Sequence, residues 1–523
     1  MASSQELNNA LWASANVLRG HMSASQYMDY LLGLIFYKYL SDHELYRVVD
    51  LLEDRKPASF EEAQSIYENA EGTADWNELI SELEETFGYA IKPAYTFTAF
   101  YNQINNHTFL TTNLKQGMRD MENGGIAVNG NKPFTGLFQR FDPNAKTLGE
   151  TLAKRNATLA DVMMKLEAIN FMEYDADALG DAYEYLIGQF AAESGKKAGE
   201  FYTPQAVSAL ITRIVTAGKE QKRGFSLYDP CMGSGSLLLQ ARSFIAPSEK
   251  GTVQFYGQEL NTATYDLARM NMILHAIKFE NQHFRNGDTL SADWPTDEPT
   301  TFDAVCMNPP YSAHWTADAG FLTDPRFAPY EKLAPKTKAD YAFLLHGYYH
   351  LKDTGTMGIV LPHGVLFRSG AEGVIRQHLL ENGSIYAVIG LPAGIFFNTS
   401  IPTCVIILKK DRETRDVFFI DASKEFRKGK AHNYMDPEHI DKIVNAYMGH
   451  KDIEKFSHLA DFEEIKKNEF NLNIPRYVDT FEEEAPVDLG AVFNELSAVN
   501  EEEAELSNKL NDAFAELGLS WRL

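Results

Sequence analysis

Between about residue 200 and residue 410, short runs rich in β-branched and aromatic residues alternate with stretches of helical spacing. The β-type runs fall at 225–229, 252–258, 283–287, 302–307, 356–361, 385–390 and 403–409. Helical segments at 234–246, 261–277, 339–352 and 370–381 separate most of them. That alternation implies an α/β fold: a mainly parallel sheet with helices on both faces. Pro402, just ahead of the last run, fits an edge or hairpin strand. Ligands of such sheets bind beyond the carboxyl ends of the strands, so the residues that close each run matter most.

Four strand ends carry polar groups. The first run closes in Asp229-Pro230-Cys231-Met232-Gly233-Ser234-Gly235-Ser236, whose small residues let the backbone approach a ligand. No Gly-Lys-Ser/Thr follows, so this is not a Walker A loop, and Leu239 stands near the third glycine of the dinucleotide fingerprint. The second run closes in Glu259, whose carboxylate can accept both hydroxyls of a ribose. The third closes in Asn286-Gly287-Asp288, where a carboxylate can accept from an adenine amino group. The fourth passes into Asn308-Pro309-Pro310-Tyr311. One carboxylate at a strand end means little; four polar residues along one sheet edge are hard to attribute to folding alone.

Asn308-Pro309-Pro310-Tyr311 suits attack by an amino group conjugated to a ring. Such a nitrogen is a poor nucleophile because its lone pair is delocalised. Two acceptors on its two N–H groups pull it toward a reactive geometry. The Asn308 side-chain oxygen is one; a backbone carbonyl among the prolines, held rigid by the fixed φ, is the other. Tyr311 offers a face for a planar substrate. The plainer reading is a turn with a buried tyrosine, since Asn-Pro starts turns. There is no Ser/His/Asp arrangement and no metal-type spacing; His314, His346, His350 and His363 read as structural or surface residues.

Residues 1 to about 165 read as helical, with a capping box at Ser23 and Gln26 followed by Tyr27, Leu31, Leu34 and Ile35 at helical spacing. Residues 122–134 are rich in Gly and Asn and read as a loop. The apolar run from Leu31 to Leu40 is too short to span a bilayer, and Lys38 interrupts it. The N-terminus lacks a signal pattern, and Cys231, Cys306 and Cys404 are scattered. The expectation is a cytoplasmic, reduced protein without metal or membrane. The formal net charge of −25 argues against unaided grip on nucleic acid. Lys196–Lys197, Lys332/Lys336/Lys338 and Lys409–Lys410 with Arg412 are local basic clusters, each more often a solvated face than a phosphate contact.

Near the end, positions 489, 492, 496, 499, 503, 506, 510, 513 and 517 alternate steps of three and four, and eight of the nine are apolar, Glu503 being the exception. This is a coiled-coil seam or a helix packed on its own domain. The acidic flank Glu501-Glu502-Glu503 favours a basic partner.

The Asp229–Gly235 loop together with Asn308–Tyr311 resembles the S-adenosylmethionine-dependent amino-methyltransferases of DNA. Gly199-Glu200-Phe201-Tyr202-Thr203-Pro204 is similar to the family's segment over the methionine end of the cofactor. The whole chain resembles the modification (methyltransferase) subunit of type I restriction-modification systems. Asp181 to Ile187, Leu34 to Ser41 and Asn471 to Tyr477 are typical of it.

The resemblance implies a Rossmann-like methyltransferase sheet in residues 166–480, an N-terminal helical domain in 1–165 and an association helix in 481–523. It implies S-adenosyl-L-methionine held by Phe201, Tyr202, Thr203, Pro204, Asp229, Gly233, Ser234, Gly235, Glu259 and Asp288. It places the target N6 amino group on Asn308 and the Pro309 carbonyl, with Pro310 completing the rigid turn. Tyr311 would stack on a flipped adenine, with Phe396 or Phe397 as a second aromatic. Implied partners are DNA, a specificity subunit that reads the sequence, a second modification subunit and a restriction subunit.

Two other functions fit parts of the pattern. Asn-Pro-Pro-Tyr also serves amino-methyltransferases of protein glutamine or RNA, against which the helical domain and tail argue. A non-catalytic assembly subunit would not need the intact set of strand-end residues.

Overall fold

The computed structural model describes residues 4–522 apart from 21, 125–131, 194–202, 246–252, 292–293, 298, 397–400, 431 and 481–487. The chain divides into two compact units, residues 1–478 and 479–523.

In the first unit, helices Ser4–Ala15, Ala24–Glu53, Phe60–Ala70, Trp76–Phe87, Phe97–Asn105, Thr111–Asn123 and Leu152–Glu167 precede the sheet. Helix Ala24–Glu53 starts where its capping box predicts: the Ser23 N–H donates to Gln26 Oε1 at 3.1 Å. Its Tyr27, Leu31, Leu34 and Ile35 are buried. Lys38 is buried as well. It is paired with Asp42 at 2.7 Å and Glu167 at 3.5 Å, which is what makes a buried ammonium tolerable.

The sheet has nine strands: β1 (Ser226–Asp229), β2 (Gln254–Glu259), β3 (Gln282–Asn286), β4 (Phe302–Met307), β5 (Leu351–Pro362), β6 (Ile385–Gly390), β7 (Thr403–Lys409), β8 (Val417–Asp421) and β9 (Ser457–Ala460). Their order is β3-β2-β1-β4-β5-β7-β6-β8-β9. Strands β3 to β5 are mutually parallel, and β7 runs antiparallel to β5 and β6. Sequence order reverses between β1 and β4, the switch point where doubly wound sheets open a crevice.

Alternate strand residues pack on opposite faces. Leu227, Phe255, Ala304 and Cys306 join one hydrophobic cluster with Val207 and Leu210 of helix Gln205–Thr216. Tyr228, Val305 and Met307 join the other, with Leu344 of helix Asp340–Tyr349. Both faces are covered, so β4 is buried along its whole length, including Asp303 near its start, which pairs with Lys222 at 2.6 Å and Lys352 at 3.1 Å.

Three details differ from the sequence reading. β7 is a hairpin partner of β6 but lies inside the sheet, not at an edge. Pro402 is tolerated because it precedes the first ladder residue, Thr403, so its missing N–H costs no strand bond. The helix after β1 is short, Ser236–Gln240 followed by a 3-10 turn at Ala241–Ser243. Strands β8 and β9 extend the sheet beyond the seven runs read from the sequence. The second unit is built on one helix, Leu489–Glu516.

Candidate active site

The sheet order sets the strand ends side by side. Asp288 lies two residues beyond β3, Glu259 closes β2, Asp229 closes β1 and Asn308 follows β4. At about 4.8 Å per strand the row is roughly 14 Å long, with the switch point between Asp229 and Asn308.

The loop after β1 is held from both sides. Asp229 Oδ1 accepts the Cys231 N–H at 2.9 Å, and the Met232 N–H donates to the Gln258 carbonyl at 3.0 Å. The Gly233 N–H donates to Glu259 Oε2 at 3.2 Å, while Glu259 Oε1 accepts the Asn261 N–H at 2.7 Å. Gly233 and Gly235 sit at φ 54° and 81°, in the left-handed region that favours glycine. Gly257 leaves room for this packing: a Cβ there would stand 2.3 Å from Met232 Sδ. Asp288 is exposed and accepts the Leu290 N–H at 3.0 Å, and the neighbouring Thr289 hydroxyl donates to the Pro230 carbonyl at 2.6 Å.

Burial pushes the Asp229 carboxyl well above the ordinary carboxylate range; the Cys231 N–H opposes this and the Glu259 charge adds to it. Two carboxyl groups facing one crevice favour a ligand that brings positive charge. A nucleoside carrying a sulfonium and an ammonium group meets that demand.

Asn308 is buried and held at both ends of its amide. Its Nδ2 donates to Thr203 Oγ1 at 3.1 Å, and its Oδ1 accepts the Tyr311 hydroxyl at 2.7 Å. The structure thus brings Thr203, just before helix Gln205–Thr216, to the Asn-Pro-Pro-Tyr turn. Burial raises the Tyr311 phenol well above its usual value, so it stays a protonated donor. Its ring stands edge-on to Phe396, centroids 6.1 Å apart and planes at 82°. Phe396 itself is buried. Phe201, Tyr202 and Phe397 lie outside the described residues.

The basic cluster Lys409, Lys410 and Arg412 lies at the opposite end of the sheet, since Lys409 pairs with Thr356, which lies beside Ala304 near the start of β4. Lys409 rests 3.8 Å from the centre of the Tyr386 ring, and Arg412 donates to the Gly383 and Ile385 carbonyls. These cations close strand ends. Of the four histidines singled out, His314 is exposed, whereas the other three sit in contacts within the fold: His346 Nε2 lies 2.9 Å from the Tyr228 hydroxyl, His350 Nδ1 2.6 Å from the Thr300 carbonyl and His363 Nε2 3.0 Å from the Thr403 carbonyl.

Sequence reasoning assigned no role to Glu184. Its buried carboxylate accepts from Gln205 Nε2 at 3.3 Å and from Asn271 Nδ2 at 3.2 Å. Asn271 also donates to the Ser234 carbonyl at 3.1 Å. Glu184 and Asn271 together therefore tie Gln205 to the glycine loop. A carboxylate set between the apolar residues Tyr183, Leu186 and Ile187 of helix Ala176–Glu193 was the available signal.

Residues 174–485 match the family model described as N-6 DNA methylase, and residues 7–166 match the HsdM N-terminal domain. The MpnII methylase subunit of a type I restriction enzyme from Mycoplasma pneumoniae is 34% identical over 97% of this chain and 95% of its own. The MjaVII methylase subunit from Methanocaldococcus jannaschii is 30% identical over 92% of this chain and 80% of its own. The crystal structure of a type I restriction-modification methyltransferase subunit from Streptococcus thermophilus superposes with a TM-score of 0.87. It is 56% identical and covers 91% of this chain and 100% of that one. Among the described residues no helix is long and apolar enough to cross a membrane.

Proposed function

The chain belongs to the N6 DNA methylase family, as the methyltransferase subunit of a type I restriction-modification system, and from that premise we propose that it methylates the N6 amino group of an adenine flipped out of DNA. The carrying observation is the double anchoring of Asn308 by Thr203 and Tyr311, at the end of the row formed by Asp288, Glu259 and Asp229.

S-adenosylmethionine supplies an electrophilic methyl group when bound. Glu259 would accept the ribose hydroxyls and Asp288 the cofactor's adenine amino group, while Asp229, Gly233, Ser234 and Gly235, with Phe201, Tyr202, Thr203 and Pro204, would hold the methionine side. Asn308 Oδ1 and the Pro309 carbonyl take the two N–H groups of the target, bringing its lone pair out of conjugation, and Pro310 keeps that carbonyl in place. Tyr311 stacks on the extruded base, with Phe396 behind it or Phe397 as the second aromatic.

The working parts are residues 1–165, 166–480 and 481–523. With a net charge of −25, sequence reading and much of the phosphate contact fall to a specificity subunit in the cytoplasm. A second modification subunit and a restriction subunit complete the assembly. Glu259→Ala should weaken cofactor binding by roughly 1.5–3 kcal/mol, the worth of a charge-assisted acceptor. Asn308→Ala should reduce methyl transfer by orders of magnitude with cofactor affinity within a few-fold. Calorimetry and single-turnover methylation measure the two effects separately. Unchanged transfer in Asn308→Ala would reduce Asn-Pro-Pro-Tyr to a turn.

A further inference from the structure

The turn that carries Asn308 and Tyr311 is short of its own backbone hydrogen bonds, because Pro309 and Pro310 have no N–H. The residue that leaves it, Ser312, sits at φ 51°. That left-handed conformation is unfavourable for a non-glycine residue and persists only where the surroundings enforce it. The enforcing group comes from 28 positions further on. The Ser312 N–H donates to Asp340 Oδ1 at 2.7 Å. Asp340 is fully buried, and its other oxygen accepts from Arg368 Nη2 at 2.6 Å. Arg368 is fixed in turn by Glu372, Nη2 to Oε1 at 2.8 Å, in helix Ala371–Glu381. Beside this clamp the Ala339 N–H donates to the Ala313 carbonyl at 2.9 Å, closing the base of the 313–339 excursion.

Asp340 stands in the first turn of helix Asp340–Tyr349, where a carboxylate commonly serves the helix itself. Here both oxygens are engaged elsewhere, one on the exit of the Asn-Pro-Pro-Tyr turn and one on Arg368. We infer that Asp340 is a positioning residue for methyl transfer: by holding Ser312 in the left-handed conformation it sets the direction in which Tyr311 leaves the turn, and so where the ring and hydroxyl lie relative to Asn308. Asp340 touches neither base nor cofactor. The inference rests on the proposed reading of the Asn308 site.

The test uses the full chain with its DNA-reading partner and compares Asp340→Ala, Asp340→Asn and Asp340→Ala combined with Ser312→Gly. Asp340→Ala should lower kcat for methyl transfer about twentyfold with cofactor affinity within about threefold. Asp340→Asn keeps an oxygen for the Ser312 N–H and should stay within about fivefold of the parent. Ser312→Gly makes positive φ inexpensive and should restore about fivefold to the alanine variant, a rescue that a purely structural Asp340 would not allow. Three results overturn the inference: Asp340→Ala within twofold of the parent, a fall in transfer matched by an equal fall in cofactor affinity, or no rescue by glycine. Failure of the parent complex to methylate DNA would instead overturn the reading of the site.

Discussion

The Tyr311 hydroxyl donates a 2.7 Å hydrogen bond to Asn308 Oδ1, the acceptor that the proposed chemistry assigns to the target amino group. The chain's own side chain therefore satisfies that acceptor, and Phe396 packs edge-on against the ring that the proposal stacks on the base. The buried polar oxygen is spared an unpaired resting state. Under the proposed chemistry, a target amino group would replace that hydrogen bond with its own and turn the phenol aside.

Tyr311→Phe removes this competitor and keeps the stacking face. A neutral hydrogen bond is worth about 0.5–1.5 kcal/mol net, so capture of the flipped base should tighten roughly two- to tenfold. Cofactor affinity should not change. Tyr311→Ala should act in the opposite direction, since base–aromatic stacking is worth about 1–3 kcal/mol. A fluorescent adenine analogue at the target position reports both. A tenfold loss of capture in Tyr311→Phe would mean that the hydroxyl serves the base rather than competing with it.

Asp266, in the helix that follows Glu259, offers a test by pH. Burial raises its carboxyl from 3.8 to about 6, against the opposing effect of Arg269. Below about pH 4 the group is protonated in both folded and unfolded chains and carries no penalty. As pH rises through 6 the folded state must ionise a carboxyl it disfavours, so stability is lost on the alkaline side. Asp266→Asn cannot ionise. The melting temperature of the variant minus that of the parent should therefore be larger at pH 8 than at pH 5.5. A difference that shrinks with rising pH would place the titrating group elsewhere. The effect bears on the site because Asn271 of the same helix holds the Ser234 carbonyl.

The parts of the site legible in the sequence are those that strand periodicity indexes directly. Asp229, Glu259, Asp288 and Asn308 could be aligned because each follows a strand, and parallel strands share one carboxyl edge. Contacts that depend on how distant segments come together left no local pattern. Asp340 meets Ser312 only after a 28-residue excursion returns, and Glu184 meets Gln205 and Asn271 from a helix outside the sheet. The Ser312 backbone could not be read either, because nothing about a serine announces a positive φ. Strands β8 and β9 were missed for a different reason. β9 reads Ser-His-Leu-Ala, too short and mixed to show alternation, and β8 reads Val-Phe-Phe-Ile-Asp, a short continuous apolar run whose periodicity does not distinguish a strand from a buried helical turn. Pro402 fits an edge or a hairpin strand, and of the two β7 is the hairpin strand, paired antiparallel with β6. The ladder itself begins one residue later.

The terminal helix gives the prediction most particular to this chain. Leu489–Glu516 has no buried residue, and its seam is open: Leu489 is 77% exposed, Leu496 56%, Val499 58% and Leu506 52%. An apolar stripe of this length calls for a covering helix. A second copy of the same helix is a poor cover, because the segment holds seven acidic residues against one lysine and pairing two would bring like charges together. A basic-flanked helix of the DNA-reading subunit fits, and it brings the positive charge that the chain lacks. Deletion of residues 485–523 should leave cofactor binding intact but abolish stable association with that subunit, and with it site-specific methylation. Leu496→Asp together with Leu510→Asp should act the same way, by setting charge in the seam. Co-purification and methylation of plasmid DNA with the partner present decide the matter. If the truncated chain still co-purifies and modifies the same sites, docking belongs to the N-terminal helices, and the exposed seam serves another contact.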